Sequence, residues 1–398
     1  MKRENMKVLI LGYGSREHAL AWKVAQSPRV AEIFVAPGNA GTAEIATNVP
    51  ISDEDVPSLT QFALENRIDL TIVGTNDPLA LGVVDAFQAA GLAIFGPRQA
   101  AARLESSKAF AKEFMGRHHI ATPAYATFTA YEEARAYVEG LPADGGLVVK
   151  VSGLGKMGMG VTVCDNQAQA LAALKSYLVE QSLGEQMVII EERICGPELS
   201  VFALSDGTTA VPLIPVRDYK RIFDDDQGPN TGGIGAFSPL PDVDDRLMAE
   251  IMETIIQPTI TGMAAEGNPY VGVLFAGLMI TETGVQVIEF NSRFGNPEAL
   301  VIMSLLESDL VEGMLACIDG RLTADHVQLS DEAAAVVVMT SPSYPDESFP
   351  RGLPIFGTAR ARRMADVELF HHGTAVENGQ LVTSRGRVLA VTGKGEDL

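Results

Sequence analysis

Positive charge is scarce in this chain: 30 lysines and arginines stand against 51 acidic residues, a formal net charge of −21. That balance excludes broad contact with the phosphate backbone of DNA or RNA and with anionic membranes, yet leaves room for one small anion held by a few local cations. Cysteine is scarce too. Cys164, Cys195 and Cys317 are odd in number and far apart, which excludes a disulfide framework or a clustered metal site and points to a reducing, cytoplasmic setting. The longest apolar runs, such as residues 8–11 and 333–339, fall far short of the roughly 20 residues that cross a bilayer. Residues 1–7 carry charges with no long apolar stretch or small-residue cleavage site behind them, so no secretion signal is read. The six histidines lack a zinc spacing, there is no Gly-x-Ser-x-Gly nucleophile elbow, and no repeat or low-complexity segment is visible.

The 398 residues, 46% hydrophobic and 20% charged, suit a globular protein of two or three domains. Short apolar strands over 7–11, 32–36, 70–73 and 92–95 alternate with helices over 17–26 and up to 90. Such alternation predicts a parallel sheet with ligand loops beyond the strand C-termini, hence a Rossmann-like first domain over 1–104. A helix over 107–119 follows. Then a smaller unit, bracketed by Pro123 and the turn-rich 142–146, holds strands over 147–151 and 161–164 around a glycine-rich loop at 153–160. A helix over 167–180 leads to a strand over 187–192. Residues 215–245 read as a long Pro/Asp/Gly loop before a helix over 245–265, and short strands after 332 suggest a small β-rich C-terminal unit.

Gly12-Tyr13-Gly14 follows a strand, but the dinucleotide fingerprint needs a third glycine where Glu17 stands. The turn still offers backbone N–H groups to an anion at a helix start, with Arg16 beside it; a turn without ligand is the plain alternative. The loop at 153–160 lies between two strands and lacks Gly-Lys-Ser/Thr, so it is a hairpin flap and not a P-loop. Glu289 and Asn291 share one face of a strand, a carboxylate and an amide oxygen suited to Mg²⁺, with Arg293 placed to meet phosphate charge. A solvated strand end is the competing reading.

Taken together, a collinear set of segments resembles the glycinamide ribonucleotide synthetases, or phosphoribosylamine–glycine ligases, over nearly the whole chain. It comprises residues 14–19 (GSREHA), 35–42 (VAPGNAGT), 69–74 (DLTIVG), 107–110 (SKAF), 228–233 (GPNTGG) and 287–295 (VIEFNSRFG). The resemblance implies an ATP-grasp domain over 105–325, with a flap subdomain at about 122–190, and a C-terminal β-rich domain over 326–398. It implies ATP and Mg²⁺ (or Mn²⁺) as cofactors, phosphorylation of a carboxylate and attack by an amine. Lys108 and Lys150, the flap residues Lys156, Gly158 and Gly160, the hinge Glu191, Glu192 and Ile194, and Glu198 would meet the nucleotide. Glu289 and Asn291 would hold the metal. Arg293 would face the transferring phosphate, with Asp218 and Lys220 on the acceptor side. Gly14, Ser15, Arg16, Asn76, Arg217, Asn230, Thr231, Gly232 and Asn296 would line the substrates, an amino acid and a phosphoribosyl amine or analogue. The implied protein is a monomer or homodimer.

Departures from the family pattern gather at ligand-facing loops. Met159 stands where a flap lysine is usual, Asn76 and Asn296 replace acids, Arg217 replaces a glutamine and Ser15 a glycine, and the chain ends about one helix earlier than is usual. A related ligase with another amine or carboxylate therefore stays open, as does a non-catalytic nucleotide-binding protein.

Overall fold

Five parallel strands open the chain: β1 (Met6–Gly12), β2 (Val30–Pro37), β3 (Thr47–Asn48), β4 (Leu70–Val73) and β5 (Ile94–Phe95), in the order β3-β2-β1-β4-β5. The computed structural model describes residues 5–143, 146–153, 160–180, 187–225, 227–346 and 348–398. Val8 and Ile10 pack into one core while Leu9 and Leu11 pack into another, so β1 is buried on both faces and reads as an unbroken apolar run. Strand order reverses at β1. The loops leaving β1 and β4 therefore part and open a crevice beyond their C-terminal ends. The first of these loops runs into helix α1 (Ser15–Val24). The helix expected to reach residue 90 is instead two, Asn76–Ala80 and Val83–Ala89, broken at Gly82 with φ +80°. Sequence reading passed over the helices Val56–Asn66 and Gln99–Ser106.

Ser107 caps the helix Lys108–Arg117, its side chain accepting from the Phe110 N–H. Strands β6 (Tyr125–Phe128), β7 (Leu147–Val151), β8 (Val161–Cys164) and β9 (Val188–Glu192) then form an antiparallel sheet, ordered β6-β9-β7-β8. The helices Tyr131–Glu139 and Gln167–Lys175 share a core with it. A larger antiparallel sheet follows from β10 (Glu198–Asp206) and β11 (Ala210–Pro212).

Where a loop was expected over 215–245, the chain forms two paired strands, β12 (Arg217–Phe223) and β13 (Gln227–Ser238). The glycines of β13 read as breakers because their reason lies elsewhere in the chain. Gly233 has φ +96°, and a Cβ there would sit 2.5 Å from Pro297 Cδ, so close packing against that turn requires glycine. Strands β14 (Val271–Thr281) and β15 (Gly284–Asn291) complete the large sheet in the order β11-β10-β14-β15. Alternate residues of β10 enter opposite cores, Leu199, Val201 and Ala203 on one face and Phe202 and Leu204 on the other. Nearly every residue of the helix Glu298–Leu305 is buried, and it packs against both α1 and β13.

The C-terminal strands are β16 (Ala333–Thr340), β17 (Val367–His371), β18 (Thr374–Glu377), β19 (Gln380–Thr383) and β20 (Arg387–Gly395). They do not stand alone: one sheet runs β12-β13-β16-β20-β17, so the terminal unit incorporates two strands from mid-chain. Among the described residues no helix is long and apolar enough to cross a membrane.

Candidate active site

Several segments converge on a cleft of about 450 Å³: the loops after β1 and β4, the helix Lys108–Arg117, the β7–β9 sheet, the end of β15, strands β12 and β13, and the C-terminal residues His372 and Arg387. Its floor is cationic. Lys108 donates to the Gly153 carbonyl at 3.3 Å, and Lys150 to the Ile288 carbonyl at 3.1 Å and to Glu191 at 2.8 Å. Glu191, 2% exposed, also pairs with Lys112 at 3.2 Å. One buried carboxylate thus anchors two buried ammonium groups, and Lys112 further donates to Thr122 at 2.6 Å. Burial pushes Lys112 down to about 8; Glu191 opposes this and Lys150 adds to it.

Glu289 faces this floor. Burial raises its carboxyl, but the ammonium groups of Lys220, Lys108 and Lys150 and a hydrogen bond from Asn291 outweigh burial and hold it below the usual carboxylate range. Asn291, two residues on, lies on the same strand face, 3.5 Å from Glu289. Its amide oxygen accepts from Arg293 at 3.0 Å, and Arg293 pairs with Glu105 at 2.9 Å. The Arg293 Nε has no hydrogen-bond partner among the described residues. The ionised Glu289 carboxylate and the Asn291 amide, whose nitrogen faces Glu289 and whose oxygen faces Arg293, supply donors of the hard-oxygen kind that Mg²⁺ takes.

On the opposite side Lys220 donates to Glu198 at 2.6 Å and lies 3.9 Å from Asp218. Burial pushes the Asp218 carboxyl up to about 7, against the pull of Lys220 and with help from Glu298 and Glu198. Thr231 donates to the Lys220 carbonyl, and Gly232 and Asn296 border the cleft beside it.

The start of α1 differs from the sequence expectation. Gly12 adopts φ +126°, and Glu17 packs where a Cβ on Gly12 would fall, 2.6 Å from its Cγ. From there Glu17 accepts the Gly14 N–H at 2.6 Å and pairs with Arg16 at 2.6 Å. The Ser15 N–H goes to His372 Nδ1 at 3.3 Å. The N–H groups of Gly14 and Ser15 are therefore engaged within the chain. Arg16 and Gly14 still border the cleft, as does Asn76 after β4.

Other expected positions stand apart. Arg217, expected to line the substrates, turns to Asp242 in a two-point pair, at 3.0 and 2.8 Å, and donates to the Glu198 carbonyl; it is not among the residues bordering the cleft. Asn230, exposed on β13, pairs with Arg221. Glu192 is exposed at the end of β9, Ile194 is half-buried after it, and Gly160 closes the flap loop. Lys156 and Gly158 lie outside the described residues. Sequence reasoning missed Glu105, Lys112, Glu298, His372 and Arg387, all of which border the cleft. Lys112 lies four residues beyond Lys108 on the same helix and was open to a spacing argument; the others carry no local signal.

The flap sheet and large sheet around this cleft have the arrangement of an ATP-grasp fold. Residues 106–299 match the description "Phosphoribosylglycinamide synthetase, ATP-grasp (A) domain", with the N domain of that synthetase over 6–105 and its C domain over 334–398. The chain belongs to the phosphoribosylglycinamide synthetase family. It is 48% identical to the phosphoribosylamine–glycine ligase of Vibrio vulnificus, over 99% of this chain and 92% of that protein. It is 46% identical to the trifunctional purine biosynthetic protein adenosine-3 of Gallus gallus, and spans 39% of that protein's length. The crystal structure of phosphoribosylamine–glycine ligase from Thermotoga maritima superposes with a TM-score of 0.84 at 32% identity, covering 98% of this chain and 93% of that one. A biotin carboxylase from Campylobacter jejuni, 15% identical with a TM-score of 0.72 over all of this chain and 89% of its own, shares the fold alone.

Proposed function

We propose that this chain joins glycine to 5-phosphoribosylamine in purine biosynthesis, converting ATP to ADP and phosphate. The observation that carries this reading is the ionised Glu289 beside Asn291, facing Lys108, Lys150 and Lys220 across one cleft. Lys108 and Lys150 hold the nucleotide phosphates, and Arg293 meets the charge of the group in transfer. Glu289 and Asn291 would hold Mg²⁺, which when bound would neutralise phosphate charge. A glycine carboxylate oxygen attacks the γ-phosphorus and ADP leaves. The amine nitrogen then attacks the acyl carbon, the C–O bond to phosphate breaks, and the amine proton passes to Asp218. Catalysis of this kind rests on positioning and electrostatics more than on a covalent nucleophile.

The test is ADP release by the whole chain with ATP, Mg²⁺, glycine and phosphoribosylamine, with each component omitted in turn. Release that needs all four supports the reading. Release that proceeds with another amine or amino acid, and not with this pair, favours the related ligase of changed substrate.

A further inference from the structure

His372 reaches the cleft from the turn after β17, among residues remote in sequence. Its Nδ1 lies 3.3 Å from the Ser15 N–H, 3.3 Å from Ser15 Oγ and 3.4 Å from Asn296 Nδ2, while Ser15 Oγ donates to Asn296 Oδ1 at 2.9 Å. A backbone N–H can only donate, so Nδ1 accepts and the ring proton sits on Nε2. Burial, reinforced by Arg387, Arg16 and Arg385, holds the imidazole well below its ordinary range, which keeps this neutral tautomer. Nε2 has no partner among the described residues. Beside it, Arg387 donates to the carbonyls of Gly232, Gly233 and Asn296 and meets no carboxylate among the described residues. Arg385 lies over the Tyr13 ring, 3.9 Å from its centroid. This corner thus combines guanidinium charge, only partly offset by Glu298, with one oriented neutral donor.

We propose that His372 is a specificity-determining residue for the amine substrate, its Nε2–H donating to the phosphate of a phosphorylated sugar beside Arg387. Ser15 and Asn296 are positioning residues that fix the ring. The inference rests on the ligase reading and adds to it the group that selects for phosphate.

Two substitutions separate the ring's two roles. In His372→Asn the side-chain oxygen replaces Nδ1 and keeps the Ser15 contact but removes the donor; in His372→Gln the amide nitrogen replaces Nε2 and loses that contact. Titration calorimetry of the whole chain with ribose 5-phosphate should show His372→Asn weakened about tenfold, with its unfolding midpoint kept, and His372→Gln within about threefold of the natural protein. The KM for phosphoribosylamine should rise about tenfold in His372→Asn while those for glycine and ATP hold. Equal weakening in both variants, unchanged affinity in His372→Asn, or no binding of ribose 5-phosphate by the natural protein overturns the proposal. If His372→Asn does not fold, His372→Gln decides: kept affinity supports the donor role and lost affinity overturns it. If the natural protein releases no ADP with glycine and phosphoribosylamine while the ribose 5-phosphate result holds, the ligase reading fails and the phosphate seat stands.

Discussion

The two ends of the cleft are built on opposite principles. At the end proposed to take the nucleotide, charges compensate each other in a buried network: Glu191 between Lys112 and Lys150, Glu289 before three lysines, Arg293 against Glu105. At the end proposed to take the amine substrate, Arg387 is held by carbonyl oxygens, Arg385 lies over a tyrosine ring, and three neutral side chains (Ser15, Asn296 and His372) bond to one another. The first arrangement is rigid and intolerant, since an unpaired buried charge is costly. The second leaves positive charge available, which is what an anionic ligand needs.

The sharpest way to break this comparison is at Glu289. Its replacement by alanine should reduce ADP formation by about a thousandfold or more, since the donor pair for the metal is lost. Retained activity at saturating ATP and Mg²⁺ would remove the nucleotide end from the account. Next in size, Glu191→Ala strands two buried ammonium groups and should cost about 3–5 kcal/mol in denaturant unfolding. Ser15→Ala at the other end, which removes one neutral hydrogen bond, should cost about 1 kcal/mol. Equal losses would erase the contrast between the two ends.

A pH profile sharpens the acceptor side. With its carboxyl raised to about 7, Asp218 is protonated below that pH and able to take the amine proton only above it. The kcat/KM should therefore rise through about pH 7 in the natural protein, and that limb should be absent in Asp218→Asn. The sign for stability is opposite. The folded state keeps a proton that the unfolded chain has lost, so this group's contribution to stability falls as pH rises toward 7. The smallest effect concerns Arg217: because it pairs with Asp242 at a partly exposed site, Arg217→Ala should cost less than about 1 kcal/mol and leave every KM unchanged. A raised KM for either substrate would return Arg217 to the cleft.

The contrast also explains what the amino-acid sequence made legible. Glu289 and Asn291 fall on alternate positions of one strand, with Arg293 just beyond its end, so the convergence of the first two follows from backbone periodicity. The first sheet was readable for the same reason, as apolar strands alternating with helices. His372 and Arg387 meet Ser15 and Asn296 only because the helix Glu298–Leu305 and the mixed C-terminal sheet bring the two ends of the chain together. No local pattern encodes that meeting. The strands β12 and β13 were hidden similarly, since Gly233 packs against the turn at Pro297, remote in sequence.

The account's central claim is that the nucleotide end activates a carboxylate by phosphorylation. Turnover with glycine carrying ¹⁸O in both carboxylate positions tests it most directly, read by mass spectrometry of the released phosphate. One ¹⁸O atom in each phosphate is the predicted result, because the oxygen that attacks the γ-phosphorus leaves with it when the amine adds. Unlabelled phosphate, with both heavy oxygens kept out of it, would contradict the account.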